Sequence, residues 1–436
     1  MAVDVAGGWL SAPLHTSQLI SDPLRLMRGL AAKHGSTFRL RLLDGDSVVT
    51  GDPAFIAEIF GGEDGLLDAP NEIVRPLVGE GSIVLANGAR HKRKRKLLAP
   101  PFHGARMRAY GRTIAEATQR SVRTVAAGDV VDVLDVTQRI SLEVILRAVF
   151  GVSDAARVEQ LRTAIVDAVA GLPAWLLFLP VLHRRLGGVG PWARYEDSVR
   201  TLCALLREEI QRGREAEPGS RDDVLALLLS ARDEDGAPMS DAELVDELRT
   251  LVIAGHETTA TTLGWALWEL HRNPAVLERV QSEITSSSSS EPEELARVPL
   301  LVAACDETLR LHPIVPIFRR RLTRAARLGG HDLAAGTLLS PAVLITHYDE
   351  ALFPKPDQFR PERFLERKFG ATEFMPFGGG NRRCLGAAFA NYELQVALGT
   401  LLRGHRFAAT STAPLHLVMN GITTRASGPI SLRCVG

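Results

Sequence analysis

One cysteine in a glycine-rich loop is the residue best placed for chemistry in this sequence. It is Cys384, inside Phe377-Gly378-Gly379-Gly380-Asn381-Arg382-Arg383-Cys384-Leu385-Gly386. Glycines on both sides allow sharp bends, and a helical pattern, Ala387 to Leu402, starts directly behind. A thiol at a helix N-terminus, beside arginines, meets unpaired N–H groups and positive charge. Both favour the thiolate. A thiolate attacks a substrate, pairs with another thiol, or binds a soft metal. The remaining cysteines, Cys203, Cys305 and Cys434, show no framework spacing, which points to a reducing, cytoplasmic setting.

A second unusual stretch lies inside a strong helical pattern. Ser240-Asp241-Ala242-Glu243 reads as a capping box, and the pattern behind it runs to His271 and stops at Asn273-Pro274. Its middle is Ala254-Gly255-His256-Glu257-Thr258-Thr259-Ala260-Thr261-Thr262. A mid-helix glycine costs roughly 1 kcal/mol against alanine, and threonines are poor helix formers. A carboxylate among apolar neighbours costs more unless paired. Local rules that fail together in a strong helix mark a functional site. A threonine hydroxyl there can bond back to the i−4 carbonyl, and an acid beside an alcohol suits proton transfer.

Two charged groups complete the set. In Arg90-His91-Lys92-Arg93-Lys94-Arg95-Lys96, His91 and Arg95 are four apart and share a helix face. Glu307 and Arg310 are an i,i+3 pair, ordinarily an exposed contact of little energy.

Phe377, Gly378, Gly380, Arg382, Cys384 and Gly386 match every fixed position of Phe-Gly-x-Gly-x-Arg-x-Cys-x-Gly. The loop therefore resembles the haem-binding loop of the cytochrome P450 monooxygenases. The resemblance makes Cys384 the axial ligand of the haem iron, whose electron density favours O–O cleavage. Ala254-Gly255-His256-Glu257-Thr258-Thr259 is similar to the family's acid–alcohol segment, which makes Glu257 and Thr258 the proton-delivery pair. His91 and Arg95 then hydrogen-bond a haem propionate. Arg320, or Arg319 one register away, is placed to do the same. Ala254, Gly255, Thr258, Phe377, Gly378, Arg382 and Gly386 border the cofactor. Glu307, Arg310 and Arg363 become a buried charged network that holds the approach to the cysteine loop.

The resemblance also implies a mainly α fold with a smaller β region, haem lying between the long central helix and the helix behind Cys384. It implies haem b, O2 as co-substrate, and insertion of one oxygen atom into a C–H bond. No flavin or iron–sulfur motif appears in the chain, so electrons come from a separate ferredoxin with its reductase. The remaining basic residues of the 90–96 run could face that acidic donor. A peroxide-driven or isomerising relative that needs no reductase, or a haem-thiolate binding or sensing protein without turnover, are the alternatives, and the intact Glu257–Thr258 pair disfavours both.

The 436 residues read as one large domain, monomeric. Formal net charge is zero, which argues against nucleic acid as a partner. Met1 to Pro23 lacks any run of about 18 apolar residues, so no membrane anchor is expected. A hairpin is expected over Thr37–Leu42 and Ser47–Thr50 around an Asp44-Gly45-Asp46 turn, with a helix from Ala54 to Phe60. Helices follow within 105–150, broken at Gly128-Asp129, and over Ala155–Val169, Tyr195–Arg214 and Pro299–Leu311. Leu338–Thr346 reads as a strand. His416–Val418 and Ile430–Arg433 read as a terminal hairpin, with Met419–Thr424 turning between them. Residues 171–192, greasy and proline-broken, suit a lid. Leu85, Phe178, Ile253, Ala254, Ile314, Val315, Ile317 and Ile422 are the expected pocket lining. All are apolar or small, which implies a hydrophobic substrate such as a steroid, terpenoid or fatty acid.

Overall fold

The structure, a computed structural model, describes residues 5–7, 11–62, 65–102, 106–173, 176–177, 183–184, 188–217, 219–286, 291–411 and 413–436. The helices are α1 (Ala12–Ser21), α2 (Pro23–His34), α3 (Pro53–Gly61), α4 (Arg75–Val78), α5 (Gly88–Leu98), α6 (Arg106–Val122), α7 (Val133–Phe150) and α8 (Ala155–Ala170). After these come α9 (Pro191–Glu215), α10 (Val224–Ser230), α11 (Asp241–Arg272), α12 (Pro274–Ser286), α13 (Pro292–Leu295), α14 (Pro299–Leu311), α15 (Val343–His347), α16 (Arg363–Glu366) and α17 (Ala387–Gly404). The fold is mainly helical with a smaller sheet region.

Aspartates start many of these helices. Asp22, Asp52, Asp132, Asp154 and Asp223 each accept a backbone N–H of the first turn of α2, α3, α7, α8 and α10. Such caps satisfy donors that a helix cannot pair internally. The long helix α11 begins with the expected capping box. Ser240 Oγ accepts from Glu243 N at 3.2 Å, and Glu243 Oε2 accepts from Ser240 N at 3.1 Å. Leu244, Leu248, Val252, Leu263, Trp265 and Ala266 of α11 are buried in the main core. That core is shared with α7 and α17, both of which pack on α11.

Six strands form the main sheet: β1 (Val5–Ala6), β2 (Thr37–Leu42), β3 (Gly45–Thr50), β4 (Leu67–Asp68), and further on β6 and β9. Before those last two, β5 (Val130–Asp132) belongs to another sheet. The others are β6 (Arg320–Leu322), β7 (Ala326–Leu328), β8 (His331–Leu333), β9 (Leu338–Pro341), β10 (Phe407–Ala409), β11 (Leu417–Asn420), β12 (Thr423–Ala426) and β13 (Ser431–Cys434). The six-stranded order is β1-β2-β3-β9-β6-β4; β10-β13-β5, β11-β12 and β7-β8 form smaller sheets.

Three expectations are corrected. Leu42 pairs with Gly45, so the first hairpin turns at Leu43-Asp44 rather than around Gly45. The strand expected to reach Thr346 stops at Pro341, which has no N–H to extend a ladder, and α15 follows. The terminal hairpin is β11 with β12, not His416–Val418 with Ile430–Arg433. Asn420 pairs with Thr423, and Gly421 at φ +66° supplies the positive φ that a two-residue turn needs. The chain after it, β13, pairs instead with β10 and β5.

Candidate active site

Each glycine ahead of Cys384 has its own reason. Gly378 and Gly380 take φ +67° and +63°, where other residues are strained. A Cβ on Gly379 would lie 2.2 Å from the Phe60 ring, so α3 fixes that position. Cys384 N donates to Phe377 O at 2.9 Å and closes the loop. Gly386, at φ −87°, is the N-cap of α17, so left-handed backbone occurs only on the N-terminal side of the cysteine. Of the four cysteines, Cys384 alone is exposed. The expectation of a ready thiolate is corrected for the chain by itself. Although its surface is open, the protein atoms crowding around the thiol desolvate it and push its pKa up, outweighing the Gly386 N–H and the charges of Arg383 and Arg95. A coordinated metal deprotonates a thiol outright.

Ala254 is exposed in the middle of α11, although Val252, Ile253, His256, Thr259 and Ala260 around it are buried. The helix has an open patch there, inside a protein core. Gly255 has a packing reason of its own. A Cβ on it would meet Ile145 Cδ1 of α7 at 2.8 Å, so this glycine allows helix packing, and Ala254 borders the open space.

A buried link ties the two walls. Ser141 Oγ of α7 donates to Gly255 O at 3.3 Å and hydrogen-bonds Glu393 of α17. The Ser141 contact favours the ionised carboxyl, and burial opposes it more strongly. Burial pushes the Glu393 carboxyl up to about 8. Its folded value lies above the unfolded one, so its contribution falls as pH rises from about 4.5 to about 8. Glu393→Gln should remove that loss. Thermal melts of wild type and variant are expected to agree near pH 5 and to diverge by about 2–4 kcal/mol near pH 9, the variant being more stable. Parallel curves at both pH values would refute a protonated Glu393.

Thr258 Oγ1 donates to Ala254 O at 2.6 Å, and Thr262 Oγ1 to Thr258 O at 2.9 Å. Glu257, half-buried, accepts from Asn420 Nδ2 of β11 at 2.8 Å. Burial pushes the Glu257 carboxyl up, while the Asn420 amide and the Arg425 charge pull it down. Asn420 escaped sequence reasoning. It is 163 residues away in the chain, and the one sequence signal that could have pointed to its neighbourhood is the Asn420-Gly421 step, a turn former.

His91, Arg95, Arg320 and Arg382 come together. Burial first, then the charges of Arg382, Arg95 and Arg320, lower the His91 pKa to about 4, which keeps the ring neutral. Arg95 Nη1 donates to Arg383 O at 2.8 Å, and Arg382 reaches Ala86 O and Asn87 Oδ1. Arg320 is buried in this cluster, whereas Arg319 pairs with Asp44 at 2.6 Å, which separates the two registers. The rest of the basic run divides: Arg90, Lys92 and Lys96 are exposed, while Lys94 and Arg93 turn inward. Lys94 is fully buried against Glu247 at 3.0 Å, Arg93 pairs with Asp233 at 2.6 Å, and Lys96 pairs with Glu234. Lys94 and Arg93 are committed within the chain, so the expectation that they face a partner is corrected for those two.

Glu307, Arg310 and Arg363 are all buried. Arg310 Nε lies 2.7 Å from Glu307 Oε2 and Arg363 Nε 3.0 Å from Glu307 Oε1. Arg310 also donates to His347 O and Pro356 O, each at 2.8 Å. Among the expected lining residues, Ile253 and Ile314 are buried, and Leu85, Val315 and Ile317 are half-buried. Ile422 is 44% exposed at the β11–β12 turn. Phe178 lies outside the described residues. Of residues 171–192, expected as a lid, 174–175, 178–182 and 185–187 lie outside the described residues, and Leu172, Leu176 and Leu177 form a separate apolar cluster with Tyr195. A cavity of about 300 Å³ among Met107, Glu293, Arg297, Asn391 and Tyr392 contains none of the expected site residues.

The parts fit a haem. A thiol on a glycine loop supplies a soft donor, an opened helix faces the same core, and three guanidiniums with a neutral imidazole suit paired carboxylates. The sequence profile of the family described as Cytochrome P450 matches residues 9–431. A Mycobacterium tuberculosis protein with the inferred name cytochrome P450 135B1 is 35% identical over 416 residues, 93% of this chain and 86% of that one. Another from the same organism, with the inferred name cytochrome P450 138, is 35% identical over 399 residues, 89% of this chain and 86% of that one. Among solved structures, retinoic acid-bound cyanobacterial CYP120A1 superposes with a TM-score of 0.86 at 24% identity and 99% coverage of both chains. Among the described residues no helix is long and apolar enough to cross a membrane. The exposed thiol, its glycine loop and the full-length match together place this chain in the cytochrome P450 family of haem-iron monooxygenases.

Proposed function

We propose that the protein, acting as a single-domain cytoplasmic monomer, inserts one oxygen atom of O2 into a C–H bond of an apolar small molecule. The carrying observation is that Cys384, the one exposed cysteine of four, stands on the glycine loop at the head of α17. Cys384 would ligate the iron of haem b. The neutral imidazole of His91 and the guanidiniums of Arg95, Arg320 and Arg382 would hold its propionates. Phe377, Gly378 and Gly386 would border its cysteine side, and Ala254, Gly255 and Thr258 its other side. Bound there, haem activates O2 for insertion.

The chain's own groups do the rest. Thr258 holds a hydroxyl at the open stretch of α11, and Glu257 beside it exchanges protons with solvent. Burial holds that acid nearer neutral pH than a free carboxyl, as proton transfer requires. Ile253, Ile314, Val315, Ile317 and Leu85 present apolar surface and keep water from the reacting bond. A steroid, terpenoid or fatty acid suits such a lining; the retinoic acid of CYP120A1 is a ligand of that chemistry. Electrons come from a ferredoxin and its reductase.

A library of apolar ligands tests this reading. Those that displace iron-bound water should shift the ferric absorption band, and with a ferredoxin system under heavy-isotope dioxygen they should yield product carrying one labelled oxygen. Label arriving from water instead would overturn monooxygenation.

A further inference from the structure

We propose that Asn420 is a positioning residue for Glu257, its side-chain amide holding the carboxylate from outside the long helix. The inference deepens the reading of Glu257 as a proton-delivery acid and rests on it. Glu257 sits on α11, whose own backbone offers its side chain no donor, since interior N–H groups are committed to the helix. The charge of a half-buried carboxylate needs a hydrogen bond to be tolerated. Asn420 Nδ2 provides one at 2.8 Å. While the carboxylate is ionised it only accepts, so the amide donates.

Asn420 is itself held firmly. It is the last residue of β11, opposite Thr423, and Thr423 Oγ1 donates to Asn420 O at 2.9 Å. One residue on, Thr424 N donates to Ile314 O and Thr424 Oγ1 to Pro313 O, both at 2.8 Å. The hairpin is thereby fastened to the segment that follows α14. Its turn at Gly421 lies against Leu177 of the lid cluster, since a Cβ there would be 3.9 Å from Leu177 Cδ2. The acid on α11 is therefore oriented by a strand pair that touches both an expected pocket wall and the lid segment. Arg425 on β12 adds a more distant positive charge.

The geometry has a readable consequence. Removing the amide takes away a donor to the charged form, which raises the pH at which Glu257 ionises. The test uses haem-loaded full-length protein and infrared difference spectroscopy of the Glu257 carboxyl, its band identified by its absence in Glu257→Gln. In Asn420→Leu the titration midpoint should move upward. In Asn420→Asp, which keeps the shape and replaces the donor by a second carboxyl, it should move further the same way. Asn420→Gln should restore it in part. Peroxide released per electron pair should rise in the order of the midpoint shifts. A wild-type midpoint in either Asn420→Leu or Asn420→Asp, with haem content and circular dichroism unchanged, overturns the assignment. Failure of the haem-thiolate reading would show separately, in the carbon monoxide spectrum of the wild type, and leaves the infrared midpoints to be read independently.

Discussion

Arg310→Ala is expected to give protein that is unfolded or free of haem when produced beside a normally loaded wild type. Arg310 is fully buried, and so is Glu307, which it meets at 2.7 Å. Its remaining donors go to His347 O and Pro356 O, both in the chain between α14 and α16. Glu307 Oε1 also accepts from Arg363 Nε at 3.0 Å and from Arg360 N at 2.9 Å. The alanine would strand a carboxylate beside one remaining guanidinium and orphan two carbonyls. Removing one partner of a buried pair typically costs about 3–5 kcal/mol, a large share of the roughly 5–15 kcal/mol that holds a domain folded. Arg310→Lys should be nearly as damaging, because one ammonium cannot replace a fork that serves two directions. Solubility, haem content per chain and the thermal midpoint measure this. Normal haem loading of Arg310→Ala would show that the network is dispensable.

The second large effect concerns turnover. Thr258→Ala should leave folding, haem content and ligand binding near wild type while uncoupling electron use from product. The side chain's packing role is small: its hydroxyl donates to Ala254 O at 2.6 Å, and such i−4 bonds bend a helix more than they stabilise it. The hydroxyl at the opened stretch of α11 is lost, and Glu257 has no relay. Positioned proton transfer is generally worth about 10²–10⁴-fold, so product per electron pair should drop at least about tenfold, with peroxide appearing in its place. Thr258→Ser should recover much of the coupling. Unchanged coupling in the alanine variant would remove Thr258 from proton delivery.

Much of this molecule was legible in its sequence because the relevant signals are local. The Ser240–Glu243 box, the aspartate caps and the proline at 274 bracket helices whatever surrounds them. The glycine loop and the Glu257–Thr258 break in a helix also declare themselves locally. What escaped depends on contacts distant in the chain. Nothing near Gly255 says that Ile145 fills the space beside it, and nothing near Gly379 says that Phe60 does. Arg93 and Lys94 looked open because their partners, Asp233, Glu243 and Glu247, lie about 140 to 150 residues later. The terminal hairpin differs from the reading because β13 finds its partners on β10 and on β5, about 300 residues earlier in the chain. The thiol's pKa direction reversed because desolvation by the folded surroundings outweighed the arginines and the N–H group nearby.

The most direct test addresses the sulfur at position 384. Wild type and Cys384→Ala are reconstituted with haem, reduced, and exposed to carbon monoxide. The wild type should show the red-shifted absorption band characteristic of thiolate-ligated haem, and the variant should lose it while the other cysteines remain. Persistence of that band without the Cys384 sulfur would contradict the account.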